Sequence, residues 1–270
     1  MTATSLWPLF AFLFGAVFGS FFTVVVYRVP LGLSIVRPGS FCPFCKTPIR
    51  WYDNLPILGW LLLRGKCRSC KAAIPIRYPL IELGCGLSLA AVAYCGMPAG
   101  VPQPLERVEW TLQLMLLVWA SFPIVVTDIR SMLIPDVIVW PSLFFALAIS
   151  FIPGGVAPAE AAIAAIVLGA GLWLFAKLMT KILQRDAMGF GDVKLVAFFG
   201  ALMGIPNGIF AILVGSFLGV VVMLPLQWLR KSGRGAELPF GPFLYAGAFV
   251  SWFWGELFWN WYLPFVGVGA

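Results

Sequence analysis

The chain has 270 residues, of which 61% are hydrophobic, 11% are charged and none is histidine. So apolar a composition excludes an ordinary soluble domain and points to an integral membrane protein. The lack of histidine excludes a Ser-His triad, a His-assisted cysteine protease and a His-ligated zinc protease, leaving paired carboxylates as the means of any hydrolysis.

Apolar runs of spanning length recur along nearly the whole chain. The pattern predicts an all-α polytopic membrane protein with about eight transmembrane helices, near 6–28, 79–98, 109–127, 137–153, 159–182, 193–205, 207–228 and 240–265. The first run has no basic n-region and no small-residue cleavage site, so it reads as a retained span. If the 30–78 loop is cytoplasmic, so are 128–136, 183–192 and 229–239. All Lys and Arg except Arg107 then fall inside or at inner helix ends, as the positive-inside rule requires. The net charge of +7 is thereby explained without a nucleic-acid partner. Both termini come out on the far side of the membrane. Trp252, Trp254, Trp259, Trp261 and Tyr262 crowd the outer half of the last span as an interfacial belt, with Glu256 among them.

Between the first two spans lies the one polar segment long enough for a small domain. This gives three divisions: 1–29, a first helix; 30–78, a cytoplasmic domain; and 79–270, a helical bundle. Residues 30–78 carry Cys42-Pro43-Phe44-Cys45 and Cys67-Arg68-Ser69-Cys70, with 21 residues between the pairs. Two Cys-x-x-Cys pairs supply four thiolates to one tetrahedral zinc, as in a zinc ribbon, and the cytoplasm keeps such thiols reduced. A segment this short needs a metal staple to fold. The alternatives for these cysteines are a redox dithiol and unliganded thiols. Cys85 and Cys95 are expected to pack inside the second span. Ile81-Glu82-Leu83-Gly84-Cys85-Gly86 mimics a cofactor-binding glycine turn, but it opens a membrane helix rather than following a strand, so close helix packing explains it better.

Two aspartates end apolar runs on the cytoplasmic side. Asp128 follows Thr127, and Asp192 closes Gly189-Phe190-Gly191-Asp192. Ionisable groups at membrane depth face a bundle interior or a wet cavity and are functional candidates. Two carboxylates sharing one proton perform aspartic proteolysis, the ionised one activating water and the protonated one polarising the carbonyl. The alternative is that each aspartate caps a helix end. Gly189 and Gly191 are expected to supply unusual torsions and a close approach to an extended substrate. Asp136 precedes a span and reads as an N-cap or as active-site support. Lys194 either biases the charge at Asp192 or snorkels to the interface.

Together these motifs resemble the type IV prepilin peptidases, bifunctional membrane enzymes of the Gly-x-Gly-Asp aspartic protease group. The likeness runs through Gly19-Ser20-Phe21, Tyr27-Arg28-Val29-Pro30, the four cysteines and Ile49-Arg50-Trp51-Tyr52-Asp53-Asn54-Leu55-Pro56. It continues in Arg64-Gly65-Lys66-Cys67, Arg77-Tyr78-Pro79-Leu80-Ile81-Glu82, Thr127-Asp128, Ile134-Pro135-Asp136 and Ala187-Met188-Gly189-Phe190-Gly191-Asp192-Val193-Lys194-Leu195. Thr23 departs from the pattern, where asparagine is expected, and so does Asp186, where glutamate is common.

The resemblance implies a bacterial inner-membrane enzyme that cuts the basic leader from type IV prepilins or type II secretion pseudopilins, after a glycine at the cytoplasmic face. It also implies N-methylation of the new terminus from S-adenosylmethionine. Asp128 and Asp192 match the family's catalytic pair. Arg77, Tyr78 and Glu82 are candidates for the methylation site, with an Arg77–Glu82 salt bridge as the structural alternative. Other readings are a peptidase without methyltransferase activity, a non-enzymatic assembly factor and a proton-coupled transporter. The sequence leaves the oligomeric state open.

Overall fold

A computed structural model describes residues 6–95, 104–186, 188–230 and 239–266. Eight α-helices and short 3-10 turns make up its regular structure, and no strand occurs among the described residues. Ala187 and most of the 229–239 loop lie outside them, as do the side chains of Cys95 and Arg107. The chain divides into two compact units, Met1–Val126 and Thr127–Ala270.

In the first unit, α1 (Trp7–Arg28) and α3 (Arg77–Cys95) run antiparallel. Their backbones touch through Gly15 and Gly19, a small-residue pair one turn apart. A Cβ on Gly15 would stand 2.6 Å from the Cys85 carbonyl oxygen, and one on Gly19 would stand 2.7 Å from the Cα of Glu82. Helices in lipid associate by such close packing because apolar side chains gain nothing by leaving the acyl chains. Cys85 is buried here, and Gly86 meets Phe12, which bears out the packing explanation for that glycine-rich stretch. Trp119, on the first-unit part of α4 (Pro104–Ser131), stands edge-on to Phe18 and Phe22 at 5.4 and 5.0 Å.

Between α1 and α3 the chain makes two cysteine knuckles. It also forms a short helix, α2 (Leu58–Leu62), which the apolar pattern did not announce. The ribbon is rudimentary: only two isolated bridges form, Phe41 with Pro48 and Lys66 with Ala73.

The second unit holds α5 (Asp136–Ile149), α6 (Pro158–Leu183), α7 (Phe190–Arg230) and α8 (Gly241–Tyr262). Within α7, Gly204 has non-helical torsions of φ 78° and ψ 177°. A Cβ on Gly208 would lie 3.7 Å from the Cα of Gly200, whereas eight residues of straight helix cover about 12 Å. The chain therefore folds back at Gly204, and α7 is a helical hairpin. The division expected between 205 and 207 falls at this glycine, with no loop. Its first arm packs on α6, where Gly200 meets the Ala164 carbonyl, and its second on α8, where Gly215 meets that of Phe243.

Among the described residues, four stretches are long and apolar enough to cross a membrane: Trp7–Leu31, Val108–Ser131, Pro158–Leu183 and Phe190–Met223.

Candidate active site and metal centre

Four helix ends of the second unit meet at the two aspartates. Asp128 lies on the last turn of α4, and Asp192 on the first turn of α7. Both are buried, at 5% and 9% exposure, and their carboxylates are within electrostatic reach of each other. The backbone N–H of Gly241, the first residue of α8, donates to Asp128 Oδ2 at 2.8 Å. A helix N-terminus carries unsatisfied N–H groups and partial positive charge, so α8 stabilises a carboxylate there. A Cβ at position 241 would stand 2.9 Å from that same oxygen. A side chain there would force that oxygen to shift.

The glycines beside Asp192 work differently from the expectation. Positive φ among described glycines occurs at 32, 65, 154 and 204, so neither Gly189 nor Gly191 adopts an unusual torsion. Gly191 instead allows close approach. Its missing Cβ would stand 2.9 Å from the Cβ of Ile134, in the link between α4 and α5. Any side chain there would push the Asp192-bearing helix away from the segment that follows Asp128. At Gly189 a Cβ would meet Asp192 Oδ2 at 3.6 Å, an ordinary contact.

Asp136 is not an N-cap. Pro135 holds the cap position of α5, and no side chain caps it. Asp136 pairs with Lys194 instead, tying the start of α5 to that of α7. The Lys194 ammonium also lies over the Phe190 ring, 5.3 Å from its centroid. It neither snorkels freely nor stands alone beside Asp192.

In the first unit, the four sulfurs of Cys42, Cys45, Cys67 and Cys70 lie within 4.8 Å of one another, and these cysteines are free of disulfides. Cys42–Cys70 and Cys45–Cys67 are separated by 3.8 and 3.9 Å. A tetrahedral zinc with Zn–S bonds near 2.3 Å requires edges of about 3.8 Å. The set therefore fits the metal. The two knuckles repeat one design. Lys46 N–H bonds back to Cys42 O and Lys71 N–H to Cys67 O, while Cys42 and Cys67 each donate to the carbonyl five residues on. Lys46 and Lys71 sit at φ 59° and 60°, the turn that wraps the backbone around the sulfurs. The Thr47 hydroxyl, with help from its backbone, pulls the Cys45 thiol down to about 6. Backbone N–H groups of Cys70 and Ser69 lower that of Cys67. Both effects favour the thiolate that a metal needs. Arg68, inside the second knuckle, grips Asp53 through two bonds of 2.8 and 2.6 Å. That hydrogen-bonded guanidinium holds the Asp53 carboxyl below its ordinary range.

Beside the knuckles is a cavity of about 460 Å³, lined by Ser20, Thr23, Arg28, Arg77, Tyr78 and Glu82 among others. Small-molecule sites commonly enclose about 300–1,000 Å³. Glu82 is buried and accepts the Ile57 N–H at 2.7 Å. Arg77 stacks over Tyr78, 5.6 Å from its ring centre. The ion pairs among described residues are Arg68–Asp53 and Lys194–Asp136, so the Arg77–Glu82 bridge weighed as the structural alternative does not form. Thr23 turns its hydroxyl onto Ser20 O at 2.7 Å.

Residues 13–95 match the bacterial peptidase A24 N-terminal domain, and residues 115–224 match the type IV leader peptidase family. A prepilin leader peptidase/N-methyltransferase of Aeromonas hydrophila is 34% identical over 93% of this chain and 92% of its own. Those of Pseudomonas putida and Pseudomonas aeruginosa are each 33% identical, covering 90% and 94% of this chain and 88% and 93% of theirs. The chain belongs to the type IV leader peptidase family. No solved structure matches it.

For this leader peptidase, sequence reasoning found both aspartates and all four cysteines, and the fold brings each set together. It missed Gly241, whose signal is confined to a glycine before a proline at the start of an apolar run. It also missed Ile57, which takes Glu82 as its partner at φ 62°.

Proposed function

We propose that Asp128 and Asp192 are the catalytic pair of a membrane leader peptidase that cuts prepilins or pseudopilins, and that the same chain methylates the new N-terminus. The observation that carries this reading is the buried, mutually interacting carboxylate pair with the Gly241 N–H on one member. That bond and the α8 N-terminus suit Asp128 to be the ionised partner, which takes a proton from the attacking water. Asp192 then holds the proton and donates to the scissile carbonyl oxygen. As the tetrahedral carbon collapses, the leaving amine receives a proton and the carboxylates return to one shared proton. The Asp136–Lys194 pair and Gly191 support this geometry by holding α5 and α7 against the site.

The 460 Å³ cavity suits the methyl donor in size and chemistry. S-adenosylmethionine, when bound, supplies an electrophilic methyl group to an amine. Arg77 is placed to bind a carboxylate, and Glu82 to bind a hydroxyl or ammonium group. The four-cysteine cluster would hold one structural zinc that crosslinks the two knuckles. Eight crossings, with the α7 hairpin counted as two, would put both termini outside and the aspartates at the cytoplasmic face of a bacterial inner membrane. The chemistry calls for no nucleic acid. Purified protein in detergent, given a prepilin and labelled methyl donor, tests the reading. Release of the leader and labelling of the mature chain are expected, and neither product would form if the chain were an assembly factor or a transporter.

A further inference from the structure

The short helix α2 presents leucines that nothing among the described residues covers. Leu58, Leu61 and Leu62 are 56%, 55% and 75% exposed and stand three and four residues apart, on one side of the helix, with Leu55, 40% exposed, in the extended stretch before it. The opposite face is held inward. Gly59 is buried, Trp60 donates its indole N–H to Ile74 O at 3.0 Å, and Gly65 packs under the Trp60 ring.

The depth of α2 follows from its anchor. Ile57, immediately before α2, donates its N–H to Glu82, whose carboxyl group is also hydrogen-bonded to Ser20. Ser20 lies eight residues before Arg28 on α1, or about 12 Å along the helix. The apolar stretch that contains α1 runs Trp7–Leu31, about 37 Å of helix, so it overruns a hydrocarbon core of about 30 Å by only a few ångströms at each end. The start of α2 therefore lies on the membrane side of Arg28, not out in water. The backbone is prepared for that setting. Gly59, Leu61, Leu63 and Gly65 donate to Leu55, Ile57, Gly59 and Trp60, and the Ile57 N–H is taken by Glu82. Backbone placed in lipid must satisfy itself in this way. Arg64 and Lys66, both exposed, follow the leucine face directly and can reach outward to headgroups.

We propose that α2 is an interfacial anchor. Its leucine face is buried in the acyl chains of the leaflet from which α1 emerges, and Arg64 and Lys66 rest on anionic headgroups. This rests on α1 crossing a bilayer. The anchor would fix the knuckles and the adjoining cavity at the membrane surface, where a substrate held by an apolar helix presents its end.

The test places a nitroxide at Leu62 through an unnatural keto amino acid, which spares the native cysteines. The full chain is reconstituted in vesicles of phosphatidylethanolamine and phosphatidylglycerol. Phe14, on the outer face of α1, and Phe44, in the first knuckle, serve as lipid and water references; they are 47% and 72% exposed. Collision with oxygen should exceed collision with chromium oxalate severalfold at Leu62, as at Phe14, with the order reversed at Phe44. A Leu62 probe that behaves like Phe44 overturns the proposal, and one shielded from both reagents means that protein covers the face and overturns it too. If Phe14 itself reads as water, the membrane reading of α1 fails instead.

Discussion

Asp128 and Asp192 were legible because charge inside an apolar run is costly, and the sequence shows the cost directly. The partner of Asp128 was not legible. Gly241 bonds to a residue 113 positions away, and no local pattern encodes that contact. Asp128→Asn and Asp192→Asn are each expected to lower cleavage by roughly 10²–10⁴-fold, the usual worth of a positioned acid or base, in a protein that still folds. Near-normal turnover in either variant, measured on a prepilin in detergent, would end the two-carboxylate mechanism. Gly241→Ala should be milder. Its Cβ would displace the Asp128 oxygen and lengthen the hydrogen bond from the 241 N–H, and a hydrogen bond to a charged group is worth about 1.5–3 kcal/mol, or roughly 10–100-fold in rate. The loss should fall on kcat with KM little changed, because the contact is to the carboxylate and not to the leader. A variant with full kcat would show that the α8 N-terminus plays no part. Gly191 teaches a related lesson. A glycine in a motif suggested free torsions, yet the fold uses it as the place where Ile134 comes close.

At the scale of elements, the long helices were legible from apolar runs alone, whereas α2 was not. Five residues of Leu-Gly-Trp-Leu-Leu are too short for periodicity to separate a helix from any other apolar run. The α7 reversal was expected within two residues of Gly204, because Pro206 and an interrupted apolar run mark it. The cysteine module was the clearest element, since the Cys-x-x-Cys spacing specifies its ligands before any fold is known. One zinc per chain is expected by elemental analysis. Cys67→Ser, or exhaustive chelation, should leave the 30–78 segment open to proteolysis while the helices stay intact, because metal binding supplies much of the folding free energy of so small a module. A metal-free protein with an equally resistant segment would refute the structural role. Arg68→Ala should matter far less: half of its side chain is exposed, and solvent screens its pair with Asp53.

At the scale of the whole molecule, the two families matched and the two compact units divide the chain in nearly the same place, with the cavity residues in one and the aspartates in the other. Chemistry so divided should be separable by mutation. Glu82→Gln is the sharper probe, because glutamine keeps a carbonyl oxygen for the Ile57 N–H and removes only the charge. Arg77→Ala removes a guanidinium that is stacked on Tyr78 and outside any ion pair among the described residues. If these two groups bind the methyl donor, each substitution forfeits a charge-assisted bond of about 1.5–3 kcal/mol, so methylation should fall roughly 10–100-fold. Leader cleavage should be little changed, since both groups lie in the unit that does not carry the aspartates. Measuring both products on one prepilin, with thermal unfolding as the check on folding, gives the ratio directly. Equal losses in stably folded variants would mean that Glu82 only clips Ile57 to α3, and the methylation site would have to be sought among other groups.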